Sequence, residues 1–258
     1  MDVFVCPDYE TLSRKAAKRV ADLVRAKPNA VLGFATGSSP LGLYAELIRL
    51  HNEEGLDFSG VTTFNLDEYC GLPGDHPQSY RRFMNENLFD HINVPMERTH
   101  VPSGTDEDWR AFCDGYEEKI VEAGGIDLQV LGIGSDGHIA FNEPGSSLGS
   151  RTRRVYLTQQ TIDDNSRFFE KAEDVPTSAI SMGVGTILEA CTCVMVVGGA
   201  NKAEALAAAV EGPVTSMNTA SALQWHPDTL VFCDEAAAAK LTMREYYDWI
   251  AAQMEGEA

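Results

Sequence analysis

Several things are scarce or missing in this sequence, and each absence narrows what the chain does. The six cysteines, at positions 6, 70, 113, 191, 193 and 233, form no CxxC pair, and a chain this long does not need disulfides to fold, so they read as cytosolic thiols. No window approaches the roughly 18 consecutive apolar residues of a membrane span. The opening "MDVFVCPDYE" has neither a basic n-region nor a long apolar stretch, and the expectation is a soluble, cytoplasmic protein. Basic side chains are few: 20 Lys and Arg stand against 39 Asp and Glu, a formal charge of −19. That excludes a nucleic-acid partner, which needs a basic footprint. It does not exclude a small anion, because screening confines surface charge to roughly 8 Å at physiological salt. HExxH is absent, which removes the zincin reading. Internal repeats, low-complexity tracts and linkers are absent too, and only the tail "AAQMEGEA" looks expendable.

What is present is enough apolar residue, 44%, to bury a full core in one domain spanning residues 1–258. Short apolar runs ending in glycine or a polar turn recur: "AVLGFATG", "VTTFNLDEY", "DLQVLGIG", "TCVMVVGG" and "TLVFCDE". They predict strands of a buried sheet. Between them lie amphipathic stretches. In "YETLSRKAAKRVADLVRA" Leu12, Ala16, Val20 and Leu23 recur at helical spacing, and in "SPLGLYAELIRLH" Leu43, Leu47 and Leu50 do so. Alternation of β and α predicts an α/β fold, a doubly wound and mainly parallel Rossmann-like sheet flanked by helices. Ligands bind such sheets at the carboxyl ends of the strands.

The strand ends therefore carry the candidates. "ATGSSPLGLY" places Thr36, Gly37, Ser38 and Ser39 before Pro40, a favoured first helical residue. Free N–H groups at such a helix start hold phosphates, although an ordinary Ser-capped helix reads the same way. Lys202 falls in the first turn of the helix predicted from "ANKAEALAAAVEG", where a cation is disfavoured unless an anion shares the site or solvent screens it. Asp67, in "TTFNLDEY", is a strand-end carboxylate; burial that lifts its pKa toward neutrality makes such a group a base toward a carbon-bound proton.

The densest stretch is "GSDGHIAFNEPGSS", residues 134–147. His138 shuttles protons near neutral pH, and a neighbouring carboxylate orients such a ring and stabilises its charged form. Asp136 and Glu143 both qualify. Gly134 and Gly137 supply the backbone freedom to bring these side chains together. No second histidine and no cysteine lies near His138 to complete a tetrahedral metal set, so no metal is expected. Histidines 51, 76, 91, 100 and 226 read as structural.

Taken together, "ATGSSPLGLY", "TFNLDEYCGLP", "HPQSYRRFMNENLF", "LGIGSDGHIAFNEPGSSLGSRTR", "NSRFF", "SMGVGTILEA" and "GGANKAEAL" resemble, in order and spacing, the glucosamine-6-phosphate deaminases, from about Val3 to Asp234. The resemblance implies conversion of D-glucosamine 6-phosphate and water to D-fructose 6-phosphate and ammonia, with no metal or organic cofactor. It implies that Asp67 moves a proton between C2 and C1. It implies that His138 opens the sugar ring, with Asp136 and Glu143 as its partners. The phosphate would be held by the "TGSS" turn, Arg167 and Lys202. Residues 157–177 would form a lid that brings Arg167 to the phosphate.

The chain departs from the resemblance in two places. Members activated by N-acetylglucosamine 6-phosphate carry a lysine two residues after the arginine of "SRTR", where this chain has Val155, although Ser146, Ser147 and Arg153 match that site. It also ends sooner than the hexameric members, which leaves a homo-oligomer open. Two enzyme alternatives remain. 6-Phosphogluconolactonase shares the "DGH" but typically has Asp-Glu-Arg in place of "DEY" and lacks "AFNEP"; another is a deaminase or isomerase of a different amino-sugar phosphate. A sugar-phosphate-sensing binding domain is the reading from another class; it would carry a DNA-binding segment ahead of the first strand, and the net charge does not suit DNA.

Overall fold

The computed structural model describes residues 1–166, 169, 171 and 174–256. In chain order its strands are β1 (Asp2–Cys6), β2 (Val31–Phe34), β3 (Thr62–Asn65), β4 (Asp67–Tyr69), β5 (Thr99–His100), β6 (Leu128–Leu131), β7 (Arg153–Tyr156), β8 (Ser178–Ser181), β9 (Thr192–Val197) and β10 (Thr229–Asp234). The helices are α1 (Tyr9–Ala26), α2 (Leu41–Glu54), α3 (Tyr80–Asn87), α4 (Trp109–Glu122), α5 (Gln159–Ser166), α6 (Val184–Leu188), α7 (Ala203–Val210) and α8 (Arg244–Gly256).

Seven strands form one sheet in the order β1-β10-β9-β6-β2-β3-β5, and every pairing in it is parallel. Side chains alternate between its faces, as the two-residue strand period requires. Leu32, Phe34, Val130, Val194 and Val196 enter one core with Leu12 and Val20 of α1 and Leu43 and Leu47 of α2. Val31, Leu131, Met195 and Val197 enter a second core with Tyr116 and Ile120 of α4 and Leu206 of α7. Helices thus cover both faces, the doubly wound arrangement expected, and continuous apolar runs are what a strand buried on both faces needs. The helix α1 starts where the Asp8 carboxylate accepts a hydrogen bond from the Thr11 amide (2.7 Å), an N-cap typically contributing about 1 kcal/mol.

A second sheet of three antiparallel strands, β4-β8-β7, was not legible in the sequence. It corrects the reading of "VTTFNLDEY" as one strand. The chain changes partners at Leu66, whose amide donates to the Phe34 carbonyl (3.1 Å) while its own carbonyl accepts from Met182 (2.7 Å). Asp67 therefore begins a new strand instead of ending an old one. The tail also differs from expectation. α8 extends to Gly256, with Ala251 and Met254 packed against the first core, so "AAQMEGEA" is mostly structural.

In the large sheet β2, β3 and β5 run outward one way and β6, β9 and β10 the other, so the order reverses between β2 and β6. That reversal is where doubly wound sheets open a crevice.

Candidate active site

A cleft of about 740 Å³ lies over the carboxyl ends of β2 and β6. Thr36, Gly37, Ser38 and Ser39 reach it from the turn after β2, Asp67 from β4, His138 from the turn after β6, and Lys202 from the turn after β9. The residues singled out for chemistry on separate strand ends thus meet in one cavity. Asp136 and Glu143 stand behind His138. Arg167 lies outside the described residues.

The anion-binding half is built from the turn after β2. Pro40 is the N-cap and not the first helical residue; α2 begins at Leu41 with no side-chain cap and no acidic residue in its first turn. The positive end of its dipole is therefore left to whatever occupies the cleft. Lys202 is likewise the residue preceding α7, after a short 3-10 turn from Ala200. Tyr9, which sequence reasoning missed, braces this turn. Its hydroxyl lies 3.0 and 2.9 Å from the carbonyls of Ser38 and Ser39 and accepts from the Gly42 amide at 2.9 Å. A tyrosine at a helix start carries no sequence signal for such a task.

The proton-handling half is the turn after β6. Gly137 has φ +90°, a region open to glycine at little cost. Gly134 serves differently: a Cβ there would meet the His138 ring at 2.5 Å, so its missing side chain makes room for the imidazole. Ala140 takes φ +50°, a conformation costing an L-residue roughly 1 kcal/mol or more. It turns the chain so that Asn142 bonds back to Ile139. Asp136 Oδ1 lies 2.7 Å from His138 Nδ1 and accepts from the His138 amide at 3.1 Å. Burial works against charge on Asp136, but the hydrogen bond and charge of His138 outweigh it and hold the carboxyl below its ordinary range. Glu143 Oε2 lies 3.6 Å from the same Nδ1, while its Oε1 accepts from the Thr158 amide (3.2 Å). His138 Nδ1 thus has Asp136 as its near partner, while Glu143 Oε2 is buried with no hydrogen-bond partner among the described residues.

Asp67 is 6% exposed, and among the described residues no hydrogen bond supports its carboxylate. Burial first, and then the adjacent charge of Glu68, push its pKa up to about 8. A group in that range takes and returns protons near neutral pH. Tyr80 and Phe141 also line the cleft near this end, and neither was anticipated; α5 contributes Thr161 and Asn165, which fall in the stretch expected as a lid. Tyr80 stacks on Phe141 (6.0 Å, 10°).

Among the described residues, Asp136, His138 and Glu143 are a group with metal-ligand atoms within 4.8 Å of one another. Two ligands on a tetrahedral zinc at its usual bond lengths stand about 3.3 Å apart, whereas 2.7 Å between Asp136 and His138 is a proton-sharing contact.

Ser146, Ser147 and Arg153 stay off the cleft wall. Arg153 is nevertheless tied to the turn after β6, donating to Asn142 Oδ1 at 2.9 Å. It also lies across the small sheet from Asp67, both being in register with Ser181. Val155 is buried with Tyr69, Phe141 and Leu157. The five remaining histidines make structural contacts as expected: His226, for example, is buried and bonds the Ala190 carbonyl at 2.7 Å.

Comparison with known proteins agrees with this geometry. A family model described as glucosamine-6-phosphate isomerases/6-phosphogluconolactonase matches residues 8–232. A glucosamine-6-phosphate deaminase of Alkaliphilus oremlandii (strain OhILAs) is 54% identical over 93% of this chain and 100% of its own. One from Hahella chejuensis (strain KCTC 2396) is 52% identical over 97% of this chain and 95% of its own. Among solved structures, a monomeric glucosamine-6-phosphate deaminase superposes with a TM-score of 0.91 at 45% identity, covering 93% of this chain and 100% of that one.

Proposed function

The chain belongs to the family of glucosamine-6-phosphate isomerases and 6-phosphogluconolactonases, and from that premise we propose that it is a glucosamine-6-phosphate deaminase. The overall reaction takes D-glucosamine 6-phosphate and water to D-fructose 6-phosphate and ammonia. The observation that carries this reading is the buried, unbonded carboxylate of Asp67 opening on the same cleft as a carboxylate-backed His138. Deaminase names on relatives about half identical over nearly the whole chain support it.

The substrate's phosphate sits at the turn of Thr36, Gly37, Ser38 and Ser39 and pairs with Lys202; Arg167 is assigned to the same anion by family resemblance. His138 takes the anomeric hydroxyl proton and passes a proton to the ring oxygen, opening the ring. Asp136 and Glu143 stabilise the imidazolium formed between the two transfers. Asp67 then removes the proton from C2 and returns it to C1 while an amine proton passes to O1, so that the C1 carbonyl becomes an alcohol and the C2 amine an imine. Water adds to C2 and ammonia leaves. Residues 157–177, which include Thr161 and Asn165 at the cleft wall, act as the lid that excludes bulk water. No helix among the described residues is long and apolar enough to cross a membrane, and we assign the enzyme to the cytoplasm on the composition of its thiols.

Lactone hydrolysis moves no carbon-bound proton and would leave Asp67 without a task. A sensing domain would need neither proton relay. The test is to incubate the purified protein with glucosamine 6-phosphate and follow both products. Ammonia and fructose 6-phosphate are expected in equal amounts; turnover of 6-phosphogluconolactone with no release of either would overturn the reading.

A further inference from the structure

The carboxylate next to Asp67 is buried too, but unlike its neighbour it is held by hydrogen bonds, which oppose without cancelling the rise in pKa that burial causes. Glu68 is 2% exposed. Its Oε1 accepts from the amides of Tyr69 (2.9 Å) and Tyr80 (3.0 Å), and its Oε2 from the Ser79 hydroxyl (2.7 Å) and the Arg81 amide (3.1 Å). Three of these donors belong to the first turn and cap of α3, where the dipole favours an anion. Ser79 is itself the N-cap of that helix, accepting from the Arg81 amide at 3.1 Å. Arg81 is pinned in turn to Thr99 of β5 through two guanidinium bonds of 2.7 Å. Alternation along β4 sends Asp67 and Tyr69 to the cleft side and Glu68 into this bracket.

Given the deaminase reading above, we propose that Glu68 is a positioning residue for the proton transfer. It clamps the strand carrying Asp67 to the helix carrying Tyr80, and its charge, held beside Asp67, sets the basicity of that carboxylate. The pattern is one of two adjacent acids with divided roles, one satisfied by four donors and held in place, the other bare and available to carbon. A surface acid would not collect four donors. A merely structural anchor would not need to be charged one residue from the base.

Other ionisable groups also face Asp67: Tyr44 of α2, Tyr69 of β4, Tyr80 of α3 and Tyr116 of α4 all sense its charge, and His138 and Lys202 share the cleft. Glu68 faces Arg81. The tyrosines are held neutral by burial, so Glu68 is the neighbouring anion whose removal changes the field.

The test is the pH profile of kcat/KM for the wild type, Glu68→Gln and Glu68→Asp, with the Asp67 carboxyl titrated directly by carbon-13 NMR in each. Removing a like charge lowers the pKa of the base, so Glu68→Gln is expected to move the acid limb and the Asp67 titration down by about one pH unit. Its kcat should fall roughly tenfold or more, with KM within about threefold. Glu68→Asp keeps the charge but shortens the reach to α3. It is expected to lose kcat while its acid limb stays within a few tenths of a unit, about the wild-type position. An unmoved limb and titration in folded Glu68→Gln would overturn the electrostatic role. Should that variant not fold, a wild-type kcat in Glu68→Asp would overturn the clamp. The NMR titration reads the effect on Asp67 even with no substrate, so failure of the deaminase reading in the wild type is seen separately.

Discussion

Glu143 Oε2 and His138 Nδ1 lie 3.6 Å apart; Nδ1 already pairs with Asp136 at 2.7 Å, whereas Glu143 Oε2 is buried with no hydrogen-bond partner among the described residues. A buried polar atom left this way costs on the order of 1–3 kcal/mol. A small rotation of the imidazole would bring its Nδ1 to Glu143 as well. We expect this contact to shorten when substrate binds and the ring acquires its proton. Glu143→Gln should then lower kcat roughly 100-fold on the ring-closed sugar, with little change in KM; a kcat near wild type would remove Glu143 from the relay.

The protonation of Asp67 has a consequence for stability. Burial pushes its pKa in the folded state up to about 8, above the ordinary 3.8 of an aspartate. Its contribution is therefore fully present below about pH 4 and is lost as pH rises through about 8. Asp67→Asn removes the buried charge. The substrate-free variant should melt higher than wild type at alkaline pH, by an amount on the order of a few kcal/mol in stability, and the difference should shrink toward zero in acid. Thermal melts across the pH range check the sign.

Lys202→Ala should raise KM by roughly 10- to 100-fold through loss of one charge-assisted phosphate contact, with a smaller change in kcat. Substrate titration decides between this and an ordinary surface lysine, whose removal would leave KM unchanged.

Tyr9→Phe should act more gently. The lost hydroxyl braces Ser38, Ser39 and Gly42, so KM is expected to rise several-fold, about 1 kcal/mol for a hydrogen-bonded brace, while the pH profile of kcat stays in place. Steady-state kinetics on the folded variant is the check.

These residues differ in how visible they were beforehand. Five strands of the large sheet, β2, β3, β6, β9 and β10, were legible because they are short apolar runs followed by glycine or a polar turn, whereas β5, only Thr99–His100, was not; "DGH" was legible because titratable groups crowd a glycine-rich turn. The small sheet was not. Its strands, 67–69, 153–156 and 178–181, are too short to show a period, and the change of partners at Leu66, between Asn65 and Asp67, leaves no mark of its own in the sequence. Tyr9 and Tyr80 were invisible for another reason: a tyrosine at a helix start means nothing until the fold places it. Gly134 was noticed for the wrong property, since what matters is the space it leaves for the His138 ring.

Position 155 bears on regulation. Val155 is buried among Tyr69, Phe141 and Leu157, where a lysine ammonium would lose its hydration at a cost of several kcal/mol. N-acetylglucosamine 6-phosphate is therefore expected to leave the substrate saturation curve unchanged; a leftward shift of that curve would show that Arg153 and the nearby serines bind the activator without a lysine.

The division of labour between Asp67 and His138 is tested most directly by titrating Asp67→Asn with glucosamine 6-phosphate while product is followed in the same sample. Binding within a few-fold of wild type, roughly 1 kcal/mol or less, with no fructose 6-phosphate formed is the expected result. Product at the wild-type rate from this variant would contradict the assignment of the carbon-bound proton to Asp67.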